Sequence, residues 1–152
     1  GFTAAEGEPW MRVHDSFREL NVASQEKDEE SVLGFYKKVL KLRKAYSGLF
    51  VHGAFRQVLE TDETLFVYVK DELGFEEGDV DSQKRRKALV VMNFSGEKAN
   101  LKEHGLDVAA TLGCKQGEER LLVTTLRKRD QMAGGMEAGA LKAWEGRVYL
   151  SF

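Results

Sequence analysis

The segment Asp28–Phe50 has the sequence DEESVLGFYKKVLKLRKAYSGLF and carries a complete helix pattern. Asp28 is the predicted N-cap, and Glu29 and Glu30 would stand in the first turn, where the helix dipole favours negative charge. Gly48 is the predicted left-handed stop. The apolar residues recur at helical spacing and form one broad face, made of Val32, Leu33, Phe35, Tyr36, Val39, Leu40 and Leu42. A face this wide predicts a large packing partner, so we expect it to be half-exposed, or covered by the rest of the chain or by a second copy.

The preceding residues 1–27 show neither helical nor strand periodicity. Pro9, the only proline, keeps Glu8 out of the helical region. We expect a long ordered loop here. Its predicted anchors are the scattered apolar side chains Trp10, Val13, Phe17, Leu20 and Val22.

From Val51 onward the apolar residues alternate, which is typical of strands. The most apolar run, KALVVMNF at residues 87–94, predicts the centre of a sheet. The last two strands are predicted to form a hairpin around Glu145-Gly146. The full set of predicted strands covers residues 54–60, 65–70, 87–94, 99–101, 121–126, 141–144 and 147–152. The predicted fold class is therefore mostly β with one long helix, the β part being an antiparallel sandwich.

Two segments are predicted to be loops. Residues 71–86 are rich in acids and glycine and end in the basic run KRRK, which indicates a solvated hairpin loop. Residues 132–140 indicate a glycine-rich turn.

The composition limits the class of protein to which the chain can belong. The chain has 152 residues, 42% of them hydrophobic and 32% charged, which is typical of a globular domain. A net charge of -2 favours neither nucleic acid nor a membrane surface as a partner. The single cysteine, Cys114, allows no internal disulfide and fits a reducing compartment, so we expect a cytoplasmic location. The chain starts without Met, and we expect it to be a piece of a longer protein, called the parent below.

Candidate chemical groups each have a plainer interpretation. The three histidines, His14, His52 and His104, are far apart and match no metal-ligand spacing, so we interpret them as structural. Cys114 has no nearby activating base and is predicted to be an inert thiol. The acids between residues 71 and 81 lack the spacing of a calcium loop and indicate a solvated face, as does Lys84-Arg85-Arg86-Lys87.

Three further motifs also have a functional and a structural interpretation. Asn93-Phe94-Ser95 is formally a glycosylation sequon, but its place after a buried strand favours a role in a backbone turn. Gly134-Gly135 lies between strands and is no phosphate cradle. The aromatics Trp144, Tyr149 and Phe152 are either core residues or a platform for a sugar.

A glycosidase needs two carboxyl groups about 5–10 Å apart. No pair in this sequence is expected to meet that requirement, so we assign no catalytic, cofactor-binding or metal-binding residue and no cofactor.

The beginning of the chain resembles a known family. It looks like the carboxyl end of α-glucosidases of the α-amylase superfamily, in the maltase and isomaltase branch, and is most similar to fungal maltases. The matching residues are Gly1-Phe2, Pro9-Trp10, Val13, Phe17, Asn21-Val22, Gln25, Asp28, Ser31-Val32-Leu33, Phe35-Tyr36 and Leu42-Arg43-Lys44. A weaker match continues through Gly53-Ala54-Phe55, residues 90–95 and residues 144–150.

The resemblance implies an architecture. Residues 1–27 would be the loop after the last strand of a (β/α)₈ barrel, and residues 28–47 would be its last helix. Residues 1–50 would then form the tail of the catalytic barrel, and residues 51–152 a C-terminal β-domain, an antiparallel sandwich with Greek-key strands.

The resemblance also implies a function. The parent would be a retaining α-glucosidase that releases α-glucose from the non-reducing ends of maltose, sucrose or isomaltose-like sugars. The family's three catalytic acids follow earlier strands, and none maps onto this sequence. The segment would support the barrel, its partners being the upstream barrel of the same polypeptide and, through the parent, an oligosaccharide substrate. The alternatives are a free-standing carbohydrate-binding or interaction domain, and self-association through the helix face.

Overall fold

The computed structural model describes residue 4 and residues 6–72, 86–128, 131 and 137–151. Within the described chain there are two compact units, Gly1–Leu40 and Lys41–Phe152. Most of the predicted glycine-rich turn, with Gly134-Gly135, and most of the acidic loop lie outside the described residues.

The first unit is built from short helices. A 3-10 turn covers Asp15–Arg18, and helix α1 covers Val22–Gln25. A capping box begins α1, with Asn21 Oδ1 accepting from the Ser24 N–H at 2.9 Å and Ser24 Oγ accepting from the Asn21 N–H at 3.3 Å. The prediction of apolar anchors is wrong for four of the five residues, because Trp10 is 97% exposed and Phe17, Leu20 and Val22 are exposed too, whereas Val13 is half-buried. Hydrogen bonds hold this segment instead.

Helix α2 covers Val32–Ala45 and therefore begins later than predicted. Ser31 is its N-cap, since Ser31 Oγ accepts from the Gly34 N–H at 3.0 Å. Asp28 instead closes a turn before the helix, where its Oδ1 accepts from the Glu30 N–H at 2.9 Å. Glu29 and Glu30 consequently stand outside the first helical turn.

The predicted apolar face of α2 is largely uncovered. Val32, Tyr36 and Leu40 are exposed, while Phe35 and Val39 are half-buried. This agrees with the expectation that the face is half-exposed in the chain.

The chain leaves α2 through a turn of π-helix at Gly48–His52. The prediction that Gly48 is a left-handed stop is wrong, because the backbone continues into this turn. Gly53 follows it in an extended conformation and lies close to the backbone of Leu49 and of Asp71. A Cβ on Gly53 would lie 2.3 Å from the Leu49 carbonyl oxygen and 2.6 Å from that of Asp71. Only glycine allows the turn to approach the sheet this closely.

The second unit is mostly antiparallel sheet. Its elements are β1 Ala54–Val58, β2 Leu65–Asp71, β3 Lys87–Asn93, β4 Ala99–Asn100, α3 Val108–Leu112, β5 Arg120–Thr124, β6 Ala140–Leu141 and β7 Gly146–Ser151. Strands β1, β2, β3, β7 and β5 form a five-stranded sheet in that order, and β4 pairs with β6. The prediction that the 87–94 run lies at the centre of a sheet is confirmed. Helix α3, capped by Asp107 and ended by the left-handed Gly113, was not predicted.

The predicted closing hairpin is wrong. Strand β6 pairs with β4, with Ala99 opposite Leu141, while β7 lies between β3 and β5. The physical reason is a turn stabilised by Glu145, whose Oε2 accepts from the Lys142 N–H at 2.8 Å. This turn sends the chain from the small sheet into the large one.

The main core lies on one face of the five-stranded sheet, called the core face below. The alternating residues Leu65, Val67 and Val69 of β2 point into it. Leucines from the β4, α3 and β6 region cover it, namely Leu101, Leu106, Leu112 and Leu141. Each buried leucine contributes about 2 kcal/mol of hydrophobic stabilisation. A smaller cluster on the opposite face consists of Leu49, Ala88 and Leu150.

Candidate functional site

The most deeply buried charged groups are Glu145 and Arg147, which are 1% and 2% exposed. Arg147 donates from Nε to Glu145 Oε1 at 2.5 Å and from Nη2 to Oε2 at 3.1 Å. Its Nη1 donates to the Glu137 carbonyl at 2.7 Å and contacts the Tyr149 hydroxyl at 3.2 Å. Thr124 Oγ1 donates to Glu145 Oε1 at 3.0 Å. Both charges are therefore paired and hydrogen-bonded, which is the condition under which burial is tolerated.

This network is structural rather than reactive. Desolvation lowers the pKa of Arg147, but its hydrogen bonds to Glu145 and Tyr149 outweigh that effect and leave the pKa raised. Each oxygen of the Glu145 carboxylate accepts two hydrogen bonds. A carboxylate held in this way has no free lone pair to attack a sugar. Sequence analysis treated Glu145 only as part of a turn, although an acid and a base two residues apart beside a buried strand were a signal for a pair.

A second charged contact lies at the base of the β2–β3 connection. Arg86 donates from Nε and Nη2 to the two carboxylate oxygens of Glu72, both at 2.6 Å. The hydrogen bond with Glu72 raises the pKa of Arg86. The guanidinium also lies 5.7 Å from the ring centroid of Tyr46. A Cβ on Gly48 would lie 2.7 Å from Glu72 Oε1, so the chain after α2 passes close against this pair.

The three histidines occupy separate places. His14 Nδ1 accepts from the Ser16 N–H at 3.2 Å, and His52 is exposed in the π-helical turn. His104 Nδ1 lies 2.6 Å from Asp62 Oδ2 and joins two loops. The structure therefore does not bring them together, and the contacts of His14 and His104 agree with the structural interpretation.

Cys114 is a half-buried free thiol packed against the main core. Desolvation, with smaller effects from Glu119 and Glu118, raises its pKa. Burial therefore disfavours the reactive thiolate form, which agrees with the interpretation of Cys114 as an inert cysteine.

The Asn93 side chain acts in a turn, as predicted. Its Nδ2 donates to the Glu97 and Lys142 carbonyls at 2.7 and 2.9 Å, and its Oδ1 accepts from the Ser95 N–H at 2.9 Å. Asn93 is buried. The amide is thus occupied by structural hydrogen bonds in the position where a glycan would be attached.

A cavity of about 370 Å³ opens at the edge of the sheet beside β1, next to Phe55 and Arg56. Asp71 and Lys87 line it, and Asp71 Oδ2 lies 3.9 Å from Lys87 Nζ. The other oxygen, Asp71 Oδ1, is buried without a hydrogen-bond partner among the described residues. One carboxylate beside two cations does not make the carboxyl pair that glycoside hydrolysis needs. The other acids considered for a calcium loop, apart from Glu72, lie outside the described residues.

The aromatic residues predicted to be either core or a sugar platform differ in their burial. Tyr149 is buried in the main core, whereas Trp144 is 66% exposed and has a positive φ of 59°. Phe152 lies outside the described residues. The interpretation of these aromatics as core is confirmed for Tyr149 and wrong for Trp144, because Trp144 stands in the turn before β7 rather than on a strand.

The face opposite the core face carries more aromatic rings, and we call it the aromatic face. Phe66 and Tyr68 alternate along β2 with the core residues and are only half-buried. Their ring centroids are 5.7 Å apart, and Tyr68 lies 5.1 Å from Phe55 of β1. Met92 of β3 lies opposite Phe66 and extends the face. Phe66, Tyr68 and Met92 are all half-buried, so their side chains form a partly exposed apolar surface on the second unit.

Among the residues that the structure describes, no group of three or more His, Cys, Asp or Glu side chains is arranged to hold a metal ion. Within those same ranges, none of the helices combines the length and apolarity that crossing a membrane requires.

Comparison with known proteins gives a consistent family. The family model "Alpha amylase, catalytic domain" matches residues 1–53. An α-glucosidase of Candida albicans is 33% identical over 146 residues, covering 96% of this chain and 21% of the relative. A probable oligo-1,6-glucosidase of Bacillus subtilis is 31% identical over 150 residues, covering 99% of this chain and 22% of the relative. The chain thus spans about a fifth of the length of these curated relatives.

Solved structures show the same fold. The trehalose-6-phosphate hydrolase of Bacillus licheniformis superposes with a TM-score of 0.67 at 23% identity, over 97% of this chain and 23% of that chain. A trehalulose synthase superposes with a TM-score of 0.64 at 20% identity, over 95% of this chain and 22% of that chain. The sequence matches show that the chain belongs to the α-amylase family, in the group of α-glucosidases and oligo-1,6-glucosidases.

Proposed function

We propose that the chain is the C-terminal, non-catalytic part of an α-glucosidase. Residues 1–50 would be the tail of the catalytic barrel, with α2 as its last helix, and residues 51–152 a Greek-key β-sandwich. The family model for the catalytic domain ends at residue 53, close to this division. The exposed apolar face of α2 also fits a helix whose packing partner belongs to the barrel.

The parent would hydrolyse α-glucosidic bonds with retention. Such enzymes use one carboxylate as nucleophile and a second carboxyl group as acid and base, about 5–5.5 Å apart. The names of the relatives support glucose-releasing activity on α-linked sugars, in line with maltose, sucrose or isomaltose-like substrates. The catalytic acids would lie in the barrel upstream of this segment.

The observation that carries the non-catalytic role is the state of Glu145. Among the carboxylates of the described residues, that of Glu145 is the deeply buried one. Its four hydrogen bonds come from Thr124, Lys142 and Arg147. It stabilises the turn into β7 and so the sheet. The segment's contribution is therefore a rigid β-domain attached to the barrel.

Two assays test this proposal. The parent should hydrolyse p-nitrophenyl α-glucoside, and the 152-residue chain alone should not. Turnover by the chain alone would show that catalysis does not lie upstream, and an inactive, folded parent would remove the glucosidase assignment. Glu145→Gln in the parent should lower thermal stability while leaving kcat per folded molecule unchanged.

One observation favours a second function, carbohydrate binding by the β-domain. Trp144 is exposed and held at a positive φ, and such strain is found more often at binding sites. Tyr149 is buried and does not contribute. Titration of a Trp10→Phe variant with maltose isolates the fluorescence of Trp144. A saturable change would support binding, and no change at high millimolar sugar would exclude it.

The cellular setting follows from the same features. The half-buried free thiol of Cys114 suits a reducing compartment, and we propose a cytoplasmic parent. Its partners would be the barrel and a sugar substrate, with no role for nucleic acid or membrane at a net charge of -2.

A further inference from the structure

We propose that the cavity beside β1 is a binding site for a neutral sugar, with Asp71, Lys87 and Arg56 as its hydrogen-bonding groups. This inference goes beyond the proposed function, because the site lies wholly within the second unit. The volume of about 370 Å³ falls in the range of small-molecule sites, about 300–1,000 Å³. The three side chains come from three neighbouring strands, so the sheet itself fixes their spacing.

Strand register brings these groups together at one end of the sheet. Asp71 of β2 lies opposite Lys87 of β3, and Arg56 of β1 lies opposite Val69 of β2. Residues two apart in a strand share a face, so Asp71 continues the face on which Val69 is buried. The cavity therefore lies on the core face, where Thr111 of α3 forms part of its lining.

The contact between Asp71 and Lys87 is too long for a direct hydrogen bond. Lys87 Nζ lies 3.9 Å from Asp71 Oδ2, and the two side chains are 33% and 32% exposed. A normal N–H···O bond is at most about 3.2 Å long. A polar contact of this length has room for one bridging oxygen. A hydroxyl group suits that place, because its single oxygen can accept from Lys87 and donate to Asp71.

The Asp71 carboxylate has acceptor capacity that the described residues do not use. Its Oδ1 is buried and has no hydrogen-bond partner among them, whereas Oδ2 faces Lys87. The terminal torsion of an Asp side chain is soft, so the carboxylate can turn toward a donor in the cavity. A carboxylate that is short of donors gains most from a ligand that supplies one.

The charges of the lining favour a ligand without net charge. An anion would be attracted by Arg56 and Lys87 but repelled by the Asp71 carboxylate, and a cation would be repelled by the two basic groups. Hydroxyl groups suit all three side chains, since they accept from a cation and donate to a carboxylate. Arg56 is exposed, and within the described part of the chain no hydrogen bond or ion pair occupies its guanidinium. Its N–H groups can therefore bind a second hydroxyl.

Apolar side chains complete the lining. Ala54 and Val69 lie among the polar groups, and Val69 is almost wholly buried. Small-molecule sites combine an apolar surface with a few placed polar groups. A sugar ring matches that combination, because it presents C–H groups beside its hydroxyls. The ligand class is therefore a single neutral sugar unit.

This cavity is separate from Trp144, which was considered above for sugar binding. Asp71 and Lys87 are paired at one end of β2 and β3, whereas Leu65 and Asn93 are paired at the other. Trp144 lies near that other end, since its N–H donates to the Ser95 carbonyl at 3.1 Å. Sugar bound in the cavity and sugar bound at Trp144 will consequently perturb different side chains.

Methyl NMR of the deuterated, methyl-labelled parent tests the proposal, with glucose as the probe. The methyl signals of Ala54, Val69 and Thr111 report on the cavity. They should shift saturably as glucose is added, with half-saturation in the millimolar range. Ala99 and Ala140, in the two-stranded sheet, provide reference signals that should not move.

Two substitutions assign the shifts to the cavity. Asp71→Ala should remove them. Arg56→Ala should raise the half-saturation concentration about tenfold, the effect of losing one hydrogen bond to a charged group. Because Arg56 is exposed, this second variant keeps the test decisive even if Asp71→Ala fails to fold. Glu60→Ala, at an exposed acid just after β1, is the matched control and should leave half-saturation unchanged.

The outcomes are distinct. Saturable shifts that Arg56→Ala weakens and Glu60→Ala does not support the proposal. Unmoved signals at high millimolar glucose would overturn it, and so would the same shifts with inorganic phosphate, since the cavity would then be an anion site. Shifts that neither cavity substitution alters would also overturn it. Hydrolysis of p-nitrophenyl α-glucoside is measured separately, so a failure of the glucosidase assignment leaves this test intact.

Discussion

Arg147 and Glu145 form a two-pronged ion pair that is almost wholly removed from solvent, with Nε and Oε1 separated by 2.5 Å and Nη2 and Oε2 by 3.1 Å. Removing one partner leaves an uncompensated buried charge. We therefore expect Glu145→Ala to lower the free energy of unfolding by about 3–5 kcal/mol. Urea unfolding followed by circular dichroism measures this loss. Glu60→Ala, at an exposed acid, is the matched control and should change stability by less than about 0.5 kcal/mol.

Replacing both partners separates the cost of leaving one buried charge unpaired from the cost of losing the other hydrogen bonds of Glu145. Burying a paired charge contributes little net stability, and the cost arises mainly when one partner is left alone. The double variant Glu145→Leu with Arg147→Met should therefore recover most of the loss seen in Glu145→Ala. A double variant as unstable as the single one would show that the hydrogen bonds to Thr124 and Lys142 matter more than the pairing.

The lowered pKa of Asp62 predicts that the folded chain loses stability in acid. Desolvation raises its pKa, but hydrogen bonds from the Leu65 and Thr64 N–H groups and the contact with His104 outweigh this and lower it. Because the folded-state pKa lies below the unfolded one, the stabilisation is present above about pH 4 and is lost as the pH falls through the folded pKa. Asp62→Asn should flatten the curve of unfolding free energy against pH in this acid range.

The control for that experiment is Glu63→Gln, at the exposed neighbouring acid. It should keep the acid slope of the unmodified chain. An unchanged slope in Asp62→Asn would mean that other carboxylates carry the acid sensitivity.

How far sequence could predict this fold is seen in three elements. The central strand Lys87–Asn93 was predictable because a near-continuous apolar run fits burial on both faces. Helix α3 was not, because its five residues are too few to display a helical period. The pairing of β6 with β4 was missed because it depends on Glu145 folding back to the Lys142 N–H, a contact that no local pattern reveals.

In the candidate site, too, local features could be predicted from the sequence and contacts between distant residues could not. The sequence correctly predicted that Asn93 serves a turn, since this role depends mainly on near neighbours such as Ser95. The Glu145–Arg147 pair and the aromatic face depend on strand register and on which face is covered. Those are properties of the assembled sheet, and the alternation along β2 alone does not distinguish its two apolar sides.

The start of α2 gives a third prediction. Ser31 and Asp28 are both residue types that cap helices, but only Ser31 accepts from a helical N–H, that of Gly34 at 3.0 Å. Ser31→Ala should therefore cost about 1 kcal/mol and reduce helical ellipticity. Asp28→Ala, the matched variant, should cost less than half of that, since Asp28 accepts only from Glu30 in the preceding turn. Equal losses would mean that the turn and the helix form as one unit.

Gly53 gives the last prediction, which concerns the junction between the π-helical turn and the sheet. A methyl group on Gly53 would lie 2.3 Å from the Leu49 carbonyl oxygen and 2.6 Å from that of Asp71. Both atoms belong to backbone and cannot move without breaking the turn or strand β2. Gly53→Ala should therefore cost about 3 kcal/mol or more in unfolding free energy.

Two matched glycine variants show whether the effect is local. Gly96→Ala should be nearly neutral because nothing lies within 4 Å of its Cβ position. At Gly48 the nearest atom is the end of the Glu72 side chain at 2.7 Å, which can swing away only by loosening its bond to Arg86. Gly48→Ala should consequently fall between the other two, with a cost of about 1 kcal/mol. A Gly53→Ala variant as stable as Gly96→Ala would show that the turn does not press on β2, and the covering of the aromatic face by Leu49 would then lose its support.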